Sequence, residues 1–330
     1  MEYRQFGKTD LKVSVIGFGA WGIGGPAMAG EIPIGWGEVD DRQSIAALKK
    51  AFDRGINFFD TADVYGLGHS EELIGKTFGN RHDVIIASKV GNRVDNRGNF
   101  TFDYTKEYIF NACEASLKRL KRETIDYYQL HTARMEHLKN GACLEAMEQL
   151  QKAGKIRYWG LSLNTFYPGP EAEFLMENKL GHGFQIVFNI INQKGLPIIR
   201  KARAAGYGII ARMPLQFGLL TGKFDKHTRF EKNDHRVSRL TPSFLAKALA
   251  ALEPVWERAA GQGLSKTAYS LSFCSSYEEV STVIPGIKTP EQALLNTTGI
   301  VKLSQAEKEF LEQLYPEKFT VLMKMMEELG

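Results

Sequence analysis

Short apolar runs alternate with amphipathic stretches along most of the chain. Runs rich in Val, Ile, Phe and Tyr predict parallel strands covered on both faces, at 15–19, 56–59, 84–88, 125–130, 156–160, 184–188, 208–211 and 280–284. Stretches with apolar residues every three or four positions predict helices at 44–54, 70–78, 106–119, 144–152, 171–177, 197–204, 244–260, 265–273 and 290–297. Eight strand–helix units predict an α/β protein, a single-domain (β/α)8 TIM barrel spanning residues 1–330.

Three segments fall outside this alternation. Residues 1–16 alternate apolar and polar positions around a polar turn, which predicts an N-terminal β-hairpin that caps the barrel. Residues 213–243, after the seventh strand, contain a charged run and are too long for an ordinary loop, so they predict either a solvated loop or a lid that covers a cofactor. Residues 303–330 predict a C-terminal helical extension, with Ser304 as N-cap and Glu307 placed as in a capping box.

A glycine motif suggests an alternative fold. Gly17, Gly19 and Gly22 match G-x-G-x-x-G after a strand, which is typical of doubly wound dinucleotide-binding sheets. That motif should open a helix, but Pro26 follows in a stretch that stays rich in Gly and Pro until about residue 38. The sequence therefore favours the barrel.

Composition restricts the classes of partner. The net charge of +4 comes from scattered acids and bases, without the clustered basic stripe that nucleic-acid binding requires. The first ten residues lack a signal-peptide pattern and no run approaches the roughly 18 apolar residues of a membrane span, so a cytoplasmic protein with no membrane segment is expected. Cys113, Cys143 and Cys274 are odd in number and widely separated, which suggests neither a disulfide framework nor a cysteine zinc site. Cys113 and Cys143 fall within helical patterns, which indicates core packing.

Four polar residues lie where predicted strands end. Asp60, Lys89 and His131 end the second, third and fourth strands, and Tyr65 lies on the loop after Asp60. The carboxyl ends of barrel strands meet at one mouth, so these side chains are expected to come together. An ammonium beside a phenol lowers the pKa of that phenol, a carboxylate keeps the ammonium charged, and a neutral imidazole can orient a carbonyl. The set suits reduction of a carbonyl by hydride, although a buried ion pair and a satisfied histidine would explain each member alone.

The loop that carries Tyr65 leads into the predicted helix 70–78. Ser70 is expected to cap that helix, and Glu71 and Glu72 are expected as first-turn acids that favour its N-terminus.

Residues 55–76, 86–91 and 126–131 resemble the signatures of the aldo-keto reductases, which are NAD(P)-dependent (β/α)8-barrel oxidoreductases without a metal. The resemblance extends from the N-terminal hairpin to residue 296. It implies that Tyr65 is the catalytic proton donor, that Lys89 and Asp60 tune it, and that His131 orients the substrate. The substrate would be a small aldehyde, ketone or sugar, in a pocket of Trp21, Tyr65 and His131 that Trp36, Phe100 and Phe102 could extend.

The same resemblance implies a nicotinamide cofactor, with NADP(H) preferred and NAD(H) possible. Ser162 and Gln185 would bind the carboxamide, segment 213–223 would cover the pyrophosphate, and segment 284–296 would hold the adenosine phosphate. The implied cofactor residues are Ala20, Trp21, Asp60, Ser162, Gln185, Arg212, Met213, Pro214, Leu215, Gly218, Lys223, Gly286, Lys288, Gln292 and Asn296.

Some positions depart from the family pattern. Leu163 follows Ser162 where members usually have Asn or Arg, and Asn164 comes one place later. Arg212 stands where an aromatic ring often faces the nicotinamide, so its guanidinium could contact that ring or bind phosphate. Lys288 and Gln292 stand where many relatives have Arg.

Two other functions match parts of this pattern. A regulatory subunit like the channel-associated β subunits of this family would look alike throughout, but these commonly carry Asn where this chain has His131. A Schiff-base enzyme would use Lys89, but an Asp partner would keep that amine protonated. Both observations favour the reductase.

Overall fold

The computed structural model describes residues 1–232 and 234–329. Its strands are β1 (Tyr3–Gln5), β2 (Lys12–Ser14), β3 (Phe18–Gly19), β4 (Met28–Ala29), β5 (Ile32–Pro33), β6 (Phe58–Asp60), β7 (Ile85–Val90), β8 (Asn92–Val94), β9 (Phe100–Phe102), β10 (Ile125–His131), β11 (Ile156–Ser162), β12 (Gly183–Val187), β13 (Gly208–Arg212) and β14 (Thr282–Ile284). Eight of them form one parallel sheet in the order β3-β6-β7-β10-β11-β12-β13-β14. The ring closes where Ile16 pairs with Val283 and Gly19 pairs with Gly286. The predicted (β/α)8 barrel is confirmed.

Helices surround this ring, and each predicted helix is present with ends shifted by at most a few residues. The helices are α1 (Asp41–Asp53), α2 (His69–Thr77), α3 (Lys106–Leu120), α4 (Met135–Asn140), α5 (Ala142–Lys152), α6 (Gly169–Glu177), α7 (Leu196–Ala204), α8 (Arg236–Arg239), α9 (Pro242–Gly261), α10 (Lys266–Ser275), α11 (Pro290–Leu295), α12 (Gln305–Leu314) and α13 (Thr320–Glu328). A π-helical turn joins α12 to α13, so the C-terminal extension is helical as predicted. Ser304 caps α12 by accepting a hydrogen bond from the Glu307 amide.

The N-terminal hairpin closes one end of the barrel. β1 and β2 pair antiparallel, and Phe6, at the end of β1, is fully buried. Its ring lies over Gly183 and Gly208, the first residues of β12 and β13, where an added Cβ would come within 2.8 Å of the ring. The hairpin therefore covers the amino ends of the strands, opposite the mouth where the functional residues are expected.

Two further hairpins, β4–β5 and β8–β9, follow the carboxyl ends of β3 and β7. Their turns are close, since a Cβ at Gly30 would lie 3.9 Å from the carbonyl oxygen of Gly98. These hairpins were not predicted, because strands of two or three residues are too short to show a periodic pattern. Phe100 and Phe102 lie on β9 with their rings in contact at 5.6 Å and are 37% and 56% exposed.

The core extends from the strands to the outer helices. Cys113 and Cys143 are buried within it, as predicted, and Cys274 is buried there too. Within the described residues, no helix is both long and apolar enough to cross a membrane. The single-domain organisation over residues 1–330 stays a prediction.

Candidate active site

Three predicted residues are in direct contact at the mouth of the barrel. The Lys89 ammonium donates to Asp60 Oδ2 at 2.6 Å and lies 3.3 Å from Tyr65 Oη. Lys89 comes from β7 and Asp60 from β6, and these strands are neighbours in the sheet, so the two side chains extend into the same space. Lys89 and Asp60 are 0% and 2% exposed. The structure thus joins a carboxylate, an ammonium and a phenol into one chain of polar contacts.

The second oxygen of Asp60 is held by two amides. Gln185 Nε2 donates to Asp60 Oδ1 at 2.7 Å, and Gln129 Nε2 donates to the same atom at 3.1 Å. No role was predicted for Gln129 from the sequence, although an amide two residues before His131 in a predicted barrel strand was a signal for one. With both oxygens bound, the Asp60 carboxylate has a fixed orientation toward Lys89.

The charge of Lys89 is stabilised in place. Burial acts to lower the pKa of Lys89, but the Asp60 carboxylate and then Tyr65 outweigh it and raise the pKa above its ordinary value. Lys89 is therefore an ammonium at neutral pH. The structure thus places a fixed positive charge 3.3 Å from the Tyr65 oxygen.

His131, at the end of β10, is neutral at physiological pH. Burial, and then the charges of Lys89 and Arg212, hold the pKa of His131 well below its usual range. Its Nδ1 atom is buried and has no hydrogen-bond partner among residues 1–232 and 234–329. Its ring meets the Tyr65 ring edge-on at 5.9 Å. A neutral imidazole beside the phenol can donate a hydrogen bond to a carbonyl oxygen.

The start of α2 differs from the prediction. The helix begins at His69 after Gly68, whose φ of 103° only glycine adopts readily. Ser70 does not cap it, because the Ser70 hydroxyl is buried and donates to the carbonyl oxygen of Ala20. Through this bond, the loop that carries Tyr65 is fixed to the turn after β3.

Glu71 and Glu72 lie in the first turn of α2, as predicted, but Glu71 is not exposed to solvent. It is fully buried, where it accepts hydrogen bonds from the Ser88 hydroxyl at 2.5 Å and from Arg119 at 2.7 Å. Arg119 belongs to α3, so this ion pair ties the helix after Tyr65 to the next helix and to β7.

Aromatic rings form a wall beside Tyr65. The Trp21 ring stacks on the Tyr65 ring at 5.9 Å and 22°, and Trp36 meets Trp21 edge-on at 5.3 Å. His235, from the long segment 213–243, contacts the Trp21 ring at 4.6 Å and the Trp36 ring at 4.3 Å. This long segment therefore packs over the mouth. His235 was not predicted as part of the site, because it lies in a charged run that is typical of a solvated loop.

Replacing His235 by Phe is expected to make the free energy of unfolding less sensitive to acid. Burial, and next Arg239, lower the pKa of His235 to about 4, against the opposing effect of Asp234. The folded protein then binds fewer protons than the unfolded chain below the ordinary pKa of 6.5, so the contribution of His235 is complete above pH 6.5 and is lost as pH falls toward 4. The loss is about 2 to 3 kcal/mol by pH 4.5.

Urea unfolding of the wild type and of His235→Phe at pH 7 and pH 4.5 measures this loss. The stability difference between the two proteins should shift in favour of the variant at the lower pH, and an equal difference at both pH values contradicts the prediction.

Three cations lie close together near the loop after β13. Burial, and then the charge of Arg236, lower the pKa of Lys223 and of Lys288. Asp234 pairs with Arg236, and neither lysine forms an ion pair with a carboxylate in the described part of the chain. Cations that repel one another and lack a carboxylate partner favour a bound polyanion.

The loop after β13 is strained. Met213, Gln216 and Phe217 have φ values of 55°, 43° and 56°, a region that side chains other than glycine rarely adopt. Asn189 holds this conformation by donating to the Met213 carbonyl oxygen at 2.9 Å and to Gln216 Oε1 at 2.7 Å. Gln216 Nε2 also lies 3.0 Å from the Met326 sulfur on α13. Strain that is held by several contacts is typical of ligand-binding loops.

The other residues of the implied cofactor set follow the carboxyl ends of strands. Ser162 is buried at the end of β11, in register with Gln185 on β12. Asn164 accepts hydrogen bonds from the Phe166 and Tyr167 amides, so its side chain holds a turn. After β3, β13 and β14 come Ala20, Trp21, Met213, Pro214, Leu215, Gly218, Gly286, Gln292 and Asn296.

Two of these side chains bond within their own segment. Gln292 Oε1 accepts from the Lys288 amide at 2.7 Å, and Asn296 Nδ2 donates to the Gly286 carbonyl oxygen at 3.5 Å. These hydrogen bonds to backbone atoms therefore stabilise the conformation of the segment after β14.

A closed parallel barrel with a phenol, an ammonium and a carboxylate in contact at its mouth defines a class, the barrel oxidoreductases. A family model described as Aldo/keto reductase family matches residues 15–315. The chain therefore belongs to the aldo/keto reductase family and is an oxidoreductase.

Individual relatives agree with this assignment. The chain is 32% identical over 300 residues to an uncharacterized oxidoreductase, YqkF, of Bacillus subtilis, covering 88% of this chain and 89% of the relative. It is 25% identical over 324 residues to a probable voltage-gated potassium channel subunit beta of Arabidopsis thaliana, with 91% of each chain covered. Among solved structures, the glycerol dehydrogenase AKR11B4 from Gluconobacter oxydans superimposes with a TM-score of 0.80 at 26% identity, covering 96% of this chain and 95% of the other.

Proposed function

We propose that this protein reduces aldehydes or ketones to alcohols with NADPH, and that Tyr65 is the proton donor. The observation that carries the proposal is the Lys89 ammonium, which contacts the Tyr65 phenol at 3.3 Å and the Asp60 carboxylate at 2.6 Å. The fixed ammonium lies where it can stabilise the negative charge that develops on the phenol oxygen as the proton leaves.

The residues of this chain then have separate tasks. Tyr65 passes its proton to the carbonyl oxygen, and Lys89 stabilises the phenolate that remains. Asp60, held by Gln129 and Gln185, keeps Lys89 charged and in place. Neutral His131 donates to the carbonyl oxygen and orients it. When bound, the cofactor supplies the hydride for the carbonyl carbon.

The mouth has groups that fit such a cofactor. Ser162 ends β11 and lies in register with Gln185 on the neighbouring β12, and each side chain can hydrogen-bond a carboxamide. Lys223, Lys288 and Arg236 provide three positive charges against one carboxylate, Asp234, which suits the pyrophosphate and the extra phosphate of NADP(H). This excess of cations supports NADP(H) over NAD(H).

The aromatic wall supports a small carbonyl substrate with an apolar or sugar-like body. Trp21 and Trp36 provide apolar surface beside Tyr65, and Trp21 is fixed by a hydrogen bond from its indole to the Ile34 carbonyl oxygen. Two relatives have names that concern small hydroxylated compounds, L-glyceraldehyde 3-phosphate reductase of Escherichia coli, 28% identical over 335 residues, and the glycerol dehydrogenase of Gluconobacter oxydans. A short hydroxyaldehyde is accordingly the first compound to test.

The test is a panel of aldehydes, ketones and aldoses, assayed with NADPH and with NADH by absorbance of the reduced cofactor. We expect substrate-dependent oxidation, faster with NADPH. Tight NADPH binding without turnover of any panel member would instead support a regulatory role like that named for the channel subunit relatives.

A further inference from the structure

A second cation lies at the mouth beside the catalytic set. Arg212 ends β13, and its Nη2 atom donates to the Leu163 carbonyl oxygen and to Thr165 Oγ1, both at 3.1 Å. Its Nη1 atom lies 3.3 Å from the Met213 sulfur, and its Nε atom is buried without a partner among the described residues. All of these partners are neutral. Within residues 1–232 and 234–329, Arg212 forms no ion pair with a carboxylate.

The charge of Arg212 acts on the catalytic residues. Burial lowers the pKa of Arg212, and the opposing effects come from Tyr65 and Asp60. The same guanidinium contributes, after burial and Lys89, to the lowered pKa of His131. Asp60 already neutralises Lys89 through their ion pair. The charge of Arg212 is therefore in excess at this end of the barrel.

Arg212 is also fixed next to the groups that we assign to the carboxamide. Leu163, which accepts its hydrogen bond, directly follows Ser162. β13 pairs with β12, the strand that carries Gln185. A nicotinamide ring that meets Ser162 and Gln185 would lie close to this guanidinium.

The two redox forms of the cofactor differ in charge at that ring. Reduction of a carbonyl moves a hydride from the neutral reduced ring to carbon and a proton from Tyr65 to oxygen, and it leaves the oxidised ring with one positive charge. The phosphates are the same in both forms. A fixed positive charge in a site shielded from water raises the free energy of a nearby cation much more than it would in water. It has little effect on a neutral ring.

We propose that Arg212 discriminates between the two redox forms of the cofactor, weakening the binding of NADP+ relative to NADPH, so that the protein works as a reductase that readily releases its oxidised cofactor. The inference rests on the proposed function, because it requires the nicotinamide at Ser162 and Gln185. When both forms are present, the site would then be occupied mainly by the reduced cofactor, which favours turnover in the reductive direction.

The effect of the Arg212 charge must be separated from a structural role of this side chain, since Arg212 also forms hydrogen bonds with residues 163 and 165. Arg212→Gln keeps a hydrogen-bond donor and removes the charge. Arg212→Lys keeps the charge and removes the planar, two-donor geometry. If Arg212 only holds the loop, both variants should weaken the two cofactor forms together.

The experiment is equilibrium titration of the wild type and both variants with NADP+ and with NADPH, without substrate, followed by quenching of tryptophan fluorescence. We expect the wild type to bind NADPH more tightly than NADP+. In Arg212→Gln the ratio of the two Kd values should fall by about tenfold, mainly through tighter NADP+, which corresponds to about 30 mV in the potential of the bound couple. Arg212→Lys should keep a ratio within about threefold of the wild type.

The outcomes that overturn the inference differ from those that overturn the proposed function. Equal binding of NADP+ and NADPH by the wild type, or a ratio unchanged in Arg212→Gln, overturns the role of Arg212 and leaves the reductase intact. The comparison of NADP+ and NADPH binding by the wild type needs no variant, so it tests the role of Arg212 even if a variant fails to fold. Absence of binding of either cofactor to the wild type overturns the proposed function, and the inference with it.

Discussion

Replacing Tyr65 by Phe lowers turnover of the best carbonyl substrate by about 10³-fold, within the 10² to 10⁴ range for loss of a general acid. The change removes one oxygen atom, which lies 3.3 Å from Lys89 Nζ. The ring remains to stack on Trp21 at 5.9 Å, so the wall of the pocket is preserved. We therefore expect the Kd for NADPH to stay within about threefold of the wild type, since the Tyr65 hydroxyl is proposed to transfer the proton and not to bind the cofactor.

Steady-state assays and fluorescence titration measure these two quantities. Tyr158→Phe is the matched control, because Tyr158 lies on β11 and its hydroxyl meets the backbone of Asp10 in the N-terminal hairpin, at the opposite end of the barrel. It should retain full turnover. Turnover of Tyr65→Phe within tenfold of the wild type contradicts the assignment of Tyr65.

Replacing Lys89 by Met should impair both turnover and stability. Turnover should fall by 10² to 10⁴, about as much as in Tyr65→Phe, because the ammonium that favours the phenolate is gone. The free energy of unfolding should fall by about 3 to 5 kcal/mol, since Asp60 is left as a buried carboxylate without its cation. Only the amides of Gln129 and Gln185 would still hold it.

The double variant Asp60→Asn with Lys89→Met separates the two effects. It removes both charges, so most of the lost stability should return in urea unfolding while turnover stays low. Recovery of turnover together with stability would mean that Lys89 serves only to neutralise Asp60. A group other than Lys89 would then have to promote the proposed proton transfer from Tyr65.

The sequence predicted the barrel and the meeting of Asp60, Lys89, Tyr65 and His131 because both follow from local patterns. Each strand is a short apolar run, and a polar residue that ends such a run must reach the mouth once the ring closes. Neither inference needed a contact between distant segments to be known in advance. The catalytic roles of these residues stay predictions until the variants are measured.

The features that the sequence did not reveal depend on distant contacts. Ser70 and Glu71 match a helix start by type, but packing against Ala20 and Arg119 buries them. His235 lies among charged residues, and only its contact with Trp21 and Trp36 makes it part of the mouth. The hairpins β4–β5 and β8–β9 likewise form by strand pairing, and strands this short show no periodic pattern in the sequence.

The contact between Gln216 and Met326 has a practical consequence for handling this protein. The last helix, through Met326, contacts Gln216 in the loop whose backbone is under strain at Met213, Gln216 and Phe217, so a group fused after this helix is expected to disturb the place where the pyrophosphate is proposed to lie. A purification tag is better attached before Met1, which is 45% exposed at the far end of the molecule.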